Sequence, residues 1–368
     1  ATKLRDFSAS YLSLKQGLDV FLKTKDQMTF FIKAVKVYDY DASPLVGALQ
    51  SIFSKYATKI EEQYYNKLKS EIKPELFQVC TPTSDQEKEY MTIIQKESNP
   101  NLKEVSLPNI YSHAFFKCLE QIYPFIQELE RYEVELDMSL EPICAAIQEF
   151  MCELLKVYPK FLKTSEKATL DISYQMLTDL EGLEKTTPLI CHLIGQCFSH
   201  RFTDSTKISK YLMLKRSIET VYKSVKEWIC VKYSDSIQEI IKGCDVMPQA
   251  NTHKQHDFMD IIITFTKNQF AQLASLSPII VSEVQTQILQ QLNECMTNLV
   301  LNANKFNSAF MEQYQMDITA IESYCLANPT FKSQVYTFVW CKQIALFFND
   351  PHPEEILVEE TRNKKFSR

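Results

Sequence analysis

Glycine is nearly missing. The 368 residues hold 5 of them, Gly17, Gly47, Gly182, Gly195 and Gly243, against an average usage of about 7%. Phosphate-cradling loops and tight strand-to-helix turns need glycine for positive φ and close backbone approach. The five are scattered and spell neither GxGxxG nor GxxxxGK[ST], which excludes a Rossmann or P-loop enzyme. Long apolar runs are missing too. No stretch approaches the roughly 18 apolar residues that a membrane-spanning helix needs. A basic excess is absent: Lys+Arg is 40 and Asp+Glu is 46, a net charge of −6. A nucleic-acid binder needs a basic face, and a lipid-binding patch needs a run of Lys/Arg. The densest basic cluster, Arg362, Lys364, Lys365 and Arg368, follows Glu354, Glu355, Glu359 and Glu360 and reads as a mixed-charge solvated tail.

A disulfide framework is excluded on different grounds. The 11 cysteines are odd in number and dispersed through a long chain, whereas disulfide scaffolds are short and secreted. Cys144, Cys152, Cys230 and Cys295 sit in apolar helical stretches, where thiols behave as small hydrophobes. The compartment expected is a reducing cytoplasm. The start, Ala1-Thr2-Lys3-Leu4, has no methionine and no signal-peptide apolar core, so the chain reads as a fragment of something longer. What remains is ordinary folded material: 45% hydrophobic and 23% charged residues, enough for a sizeable core and about two domains.

The dominant pattern is helical. Tyr211, Leu214, Ile218, Val221, Val225 and Trp228 recur at steps of 3, 4, 3, 4 and 3, which puts them on one stripe of a long helix. Val281, Val284, Ile288, Leu292, Cys295 and Leu299 make a second stripe. Phe258, Ile261, Ile262, Phe265 and Leu273 make a third. Ser43-Pro44, Thr187-Pro188, Ser277-Pro278 and Asn328-Pro329 each pair a capping residue with a proline at the first helical position. Ser84 with Glu87 has capping-box spacing. Hairpin turns of the Asn-Gly or Asp-Gly kind are absent. The reading is twelve helices, over 5–39, 44–70, 84–98, 108–135, 139–158, 166–181, 187–201, 205–243, 252–275, 277–304, 306–327 and 329–349. No period of 20–50 residues repeats. The fold class expected is all-α, an elongated stack of antiparallel helical bundles. The expected division is an N-terminal bundle over 1–165, a C-terminal bundle over 166–350, and a charged tail over 351–368.

Candidate chemistry is thin. Cys191, His192, Cys197 and His200 form the best metal-like cluster, but all lie on one predicted helix and point in different directions, where structural zinc needs convergent ligands. His253 and His256 lack the Glu of HExxH, and their surroundings read as an exposed polar loop. Asp39-Tyr40-Asp41-Ala42-Ser43 reads as a turn with a cap before Pro44. No GxSxG elbow, adjacent Asp pair or other catalytic constellation occurs. The expectation is therefore no catalytic residue, no metal site and no cofactor. The helix with Phe306, Phe310 and Tyr314, interleaved by Gln313, Gln315 and Met316, fits a core stripe as well as a partner-binding face.

The order of several segments resembles one family. Tyr38 to Leu45, a long helix to Leu68, and then Pro82-Thr83-Ser84-Asp85-Gln86-Glu87-Lys88-Glu89-Tyr90 are similar to its P-hydrophobic, helix, P-V-x-x-E-E-E-Y series. His256-Asp257-Phe258-Met259-Asp260-Ile261-Ile262 resembles its Tyr-Leu-x-Asp-Leu-Ile-x-Phe-Leu helix. Leu276-Ser277-Pro278 with Val281 and Thr286 resembles L-P-x-x-V-A-Q-T. Phe310 to Ile318 resembles A-x-Q-Q-F-N-L-D-V, and Phe331 to Phe348 falls where the family has Asp-Leu-Arg-Gln-Leu-Leu-Asp-Leu-Phe. The family is the Sec-fifteen subunit of the exocyst, a vesicle-tethering complex, and the resemblance runs from about residue 35 to 350.

The resemblance implies the C-terminal helical-rod portion of a non-enzymatic subunit. Such a subunit binds a GTP-loaded Rab on secretory or recycling vesicles and its sister exocyst subunits. It works from the cytoplasm, peripheral to vesicle and plasma membrane. The family's Rab-contacting Phe-Asn-Leu-Asp stretch falls on Tyr314, Gln315, Met316 and Asp317, with Gln replacing Asn and the Leu-Arg-Gln-Leu-Leu-Asp pattern lost near 335–346. Competing readings are a helical scaffold of another tethering complex without a Rab role, and a metal protein built on Cys191–His200.

Overall fold

Apolar spacing at helical period does most of the work of this fold. The computed structural model describes residues 17–98, 110–133, 139–198, 205–244, 255–302, 308–327 and 337–350. Among them no strand forms. The one isolated bridge pairs Val79 with Ser112. The all-helical class is therefore the observed one. No helix of the described residues is long and apolar enough to cross a membrane.

In chain order the helices are α1 (Leu18–Val37), α2 (Ser43–Glu71), α3 (Asp85–Ser98), α4 (His113–Glu133), α5 (Leu140–Leu155), α6 (Val157–Thr164) and α7 (Leu170–Glu184). They continue with α8 (Thr187–Cys197), α9 (Ser205–Tyr211), α10 (Leu214–Lys242), α11 (Asp257–Gln272), α12 (Pro278–Leu301), α13 (Ser308–Ala327) and α14 (Val339–Asn349). Single 3-10 turns occupy Pro74–Phe77 and Leu273–Ser275. The chain divides into two compact units, 1–225 and 226–368. The division expected at residue 165, in a loop read over 159–165, falls inside the first unit, and most of that stretch is the helix α6, which ends on its C-cap Ser165.

Three expected helices differ from the observed ones. Gly17 is the extended N-cap of α1, at φ −69° and ψ 155°, so the helix expected over 5–39 does not run through it. Lys156 separates α5 from α6. Residues 212–213 separate α9 from α10. The stripe predicted from Tyr211 to Trp228 holds in its middle: Leu214, Ile218, Val221 and Val225 are buried, but Tyr211 is exposed. Its continuation in the second unit is Ile229, Tyr233 and Ile237.

Capping follows the expected chemistry in part. Helices α2, α8 and α12 carry the expected proline in the first turn. The N-caps of α2 and α8 are Ala42 and Thr186 instead of Ser43 and Thr187, and none of the three starts, Ser277 of α12 included, has a side-chain cap bond. Ser84 Oγ accepts the Glu87 N–H at 3.1 Å, and Glu87 Oε2 accepts the Ser84 N–H at 2.8 Å, a full capping box. The turn before α2 is held by Asp41, whose carboxylate accepts the Ser43 N–H at 2.9 Å. Asp39 there adopts φ 56°. The Asn328-Pro329 pair lies outside the described residues.

The core of the first unit is aromatic. Phe125 and Phe150 stack at 3.9 Å between centroids, with Tyr64 edge-on to both. Phe21, Tyr56, Tyr132 and Phe53 form a second cluster joining α1, α2 and α4. The Tyr132 hydroxyl, buried there, donates to the Leu49 carbonyl at 3.1 Å. Close packing is sharpest at Gly182 of α7. A Cβ at that position would run into the ring of Tyr111, which stacks on Phe115. Alanine normally favours a helix over glycine by about 1 kcal/mol. Here overpacking outweighs that gain, and Gly182→Ala is expected to destabilise the first unit by about 2 kcal/mol in urea unfolding.

Candidate partner-binding surface

The four residues Tyr314, Gln315, Met316 and Asp317 lie on α13, which packs against α11 and α14. A helix turns about 100° per residue, so four successive residues cannot share one face. The structure divides them accordingly. Tyr314 and Asp317 are buried, Met316 is half-buried, and Gln315 is exposed. The core face of α13 runs through Phe310, Tyr314, Asp317, Ile318, Ile321 and Cys325.

Tyr314 is anchored from inside. Its hydroxyl donates to the Met296 carbonyl of α12 at 3.2 Å. Burial raises its hydroxyl pKa far above the usual tyrosine value. Gln315 faces outward, and its Oε1 accepts from Asn349 Nδ2 of α14 at 3.1 Å. On the same helix pair Lys342 binds Glu322 at 2.7 Å.

Asp317 holds the start of α11. One oxygen accepts the His256 main-chain N–H at 2.8 Å, and the other lies 2.7 Å from His256 Nδ1. His256 is the N-cap residue of α11, and its ring stacks on Phe258 at 4.9 Å. The carboxylate thus takes two donors from one residue, selecting the Nδ1–H form of the ring. Burial pushes the Asp317 carboxyl above its ordinary range, opposed by the hydrogen bonds from His256. His256 Nε2 is buried without a hydrogen-bond partner. The exposed loop expected around His253 and His256 is corrected at His256, which is only 4% exposed. His253 lies outside the described residues. No local signal announced the pairing, because Asp317 is 61 residues away. The position of Asp317 on an apolar stripe is the signal that could have found it.

The first unit carries the same device. Asp179 of α7 accepts the Ser112 main-chain N–H at 3.0 Å and the Ser112 hydroxyl at 2.5 Å. Gln175 Nε2 adds a third donor at 3.0 Å. Ser112 directly precedes α4, as His256 directly precedes α11.

The metal-like cluster does not assemble. Cys191 and Cys197 are buried about 120° apart around α8, while His192 is exposed and paired with Gln196 at 3.0 Å. His200 lies outside the described residues. Among the described residues no group of three or more His, Cys, Asp or Glu side chains is placed to hold a metal ion.

Against known proteins, the family model for the exocyst complex subunit Sec15 C-terminal region matches residues 44–368. Among solved structures the chain is similar to a crystal structure of the Sec15 C-terminal domain, at 15% identity and a TM-score of 0.57, covering 81% of this chain and 96% of that one. It is also similar to the Myo4p globular tail domain, at 13% identity and a TM-score of 0.48, covering 74% and 76%. No curated protein matches the chain by sequence. The match at 15% identity speaks for the helical fold, and the family model for the family.

Proposed function

The chain belongs to the Sec15 C-terminal family of exocyst subunits, and from that membership we propose that it tethers vesicles by binding a GTP-loaded Rab through the exposed side of α13. Its family role is that of a non-enzymatic scaffold subunit, with other exocyst subunits as partners. The reading places it in the cytoplasm, peripheral to secretory vesicles and to the plasma membrane. A tether needs reach and stiffness, which long packed helices supply at about 1.5 Å per residue. A Rab effector needs no catalytic group. The partner's switch loops are ordered by the γ-phosphate, so the effector reads a surface and not the nucleotide.

The observation that supports a contact on α13 is the exposure of Gln315 beside half-buried Met316. Together they offer one amide and one adaptable apolar group. Tyr314 and Asp317 hold that surface from beneath, and any effect of theirs on a partner is indirect. The burial of those two also favours a second reading, a scaffold that meets only sister subunits.

Titration with exocytic and recycling Rabs, loaded with a GTP analogue or GDP, tests the proposal. The expected outcome is binding to the GTP form alone, weakened at least tenfold by Gln315→Ala with no change in melting temperature. GTP-selective binding untouched by the substitution would move the contact off α13. No binding by the folded protein to any Rab would leave the scaffold reading.

A further inference from the structure

The chain carries a net charge of −6, yet one corner of the first unit reverses that sign. From Ser205 to Ile218 the sequence holds Lys207, Lys210, Lys215 and Arg216 and no Asp or Glu. The stretch covers α9, the break at 212–213 and the first turn of α10. The break sorts its side chains. Leu212 and Leu214 are buried, while Tyr211 is 46% exposed and Met213 60%. The Met213 N–H donates to Gln148 Oε1 of α5 at 3.3 Å, which fixes the corner on the bundle.

Lys210, Lys215 and Arg216 are exposed on either side of that apolar pair in the chain. None of the three makes an ion pair among the described residues, not even with Glu219 one turn further along α10. Neighbouring elements supply little counter-charge. α9 packs against α8 and α5. α8 has no Asp or Glu. On α5, Glu149 lies beside Glu61 of α2 and Glu153 pairs with Lys156, which leaves Glu141 in the first turn.

We propose that this corner docks on an anionic phospholipid surface, with Tyr211 and Met213 entering the interfacial layer and Lys210, Lys215 and Arg216 meeting lipid phosphates. Tyrosine suits that depth, since its ring is apolar and its hydroxyl reaches the headgroups. The run of cations that the sequence lacks is assembled here by a bend between two helices. Cations and an inserted apolar group strengthen membrane attachment together. An acidic protein face is the poorer fit. It answers the cations, but its carboxylates keep water where Tyr211 and Met213 would sit. A bilayer places its apolar layer directly beneath its phosphates. The patch is also a handful of residues, against the roughly 20–30 a side of a standard protein interface. The site stands on other elements than the Rab contact proposed on α13 and does not depend on it.

Co-sedimentation of the full chain with vesicles tests this, using phosphatidylcholine alone or with about 30% phosphatidylserine, in about 0.1 M salt, where charges are screened over about 10 Å. The expected result is binding to the anionic vesicles alone. Each Lys or Arg near such a surface strengthens binding about fivefold. Lys210→Glu, Lys215→Glu and Arg216→Glu together are therefore expected to weaken it at least hundredfold, with the melting temperature unchanged. Tyr211→Ser with Met213→Ser, which keeps the charges, is expected to weaken it at least fivefold. Equal binding by the native chain and either variant overturns the proposal, as does equal binding to the two kinds of vesicle. No binding to anionic vesicles overturns it too and gives the corner to an acidic protein partner.

Discussion

Replacing Asp317 by alanine is expected to cost the second unit about 3 kcal/mol, a fall of roughly 10 °C in its melting temperature. The carboxylate is buried and takes both the main-chain N–H and the Nδ1–H of His256. Alanine strands both donors in a dry site, where each unpaired group costs about 1–3 kcal/mol. It also frees the first turn of α11, whose N-cap residue has no other side-chain cap. Asp317→Asn is expected to lose about half as much, since its carbonyl oxygen still accepts one of the two donors. The consequence for function is a discrimination. Partner binding lost in Asp317→Ala should be accompanied by lost stability, while in Gln315→Ala it should not. Urea unfolding beside each binding titration makes the separation. Binding lost in Asp317→Ala at unchanged stability would place the carboxylate in the contact itself.

The helices were legible because their causes are local. Apolar stripes such as Val284, Ile288, Leu292 and Cys295 turned out buried as spaced. The Ser84–Glu87 box declared the start of α3 within four residues. What escaped reading depends on distant partners or on single-residue geometry. Ser112 became the residue before α4 because Asp179, 67 positions on, binds its main chain and side chain together. The helix expected from residue 108 therefore starts at His113. The start of α1 at Leu18 comes from one extended φ/ψ pair, that of its N-cap Gly17. For the candidate surface, the resemblance brought attention to residues 314–317 as a block. Helical geometry then splits the block into two anchors, one exposed amide and one half-buried thioether. No motif comparison by itself makes that split. The same residues examined as a stripe with Phe310, Ile318 and Ile321 point to it.

Burial raises both clamp carboxyls, and the acidity of the first gives a test. Burial pushes the Asp179 carboxyl up to about 7, against three hydrogen bonds from Ser112 and Gln175 that favour the anion. An unfolded aspartate titrates at about 3.9. Between those values the native state holds a proton that the unfolded chain releases, so stability of the first unit falls as pH rises from about 4 through 7 and is flat above. A shift of about 3 units at about 1.4 kcal/mol each makes the loss of the order of 4 kcal/mol. Glu61, pushed to about 7 by burial and by neighbouring Glu149, acts in the same direction. Comparison with Asp179→Asn isolates the clamp, because asparagine cannot ionise and reproduces the neutral acid in shape. Denaturant unfolding at pH 5, 6, 7 and 8 is expected to give a falling stability for the native sequence and a much shallower slope for the variant. The two should be closest at pH 5 and furthest apart by pH 8, with the variant the more stable there. An unchanged slope would mean that Asp179 is ionised throughout, its three donors outweighing the burial. The clamp on Ser112 would then be a charge-assisted bond at every pH, and the pH dependence of the unit would fall to Glu61.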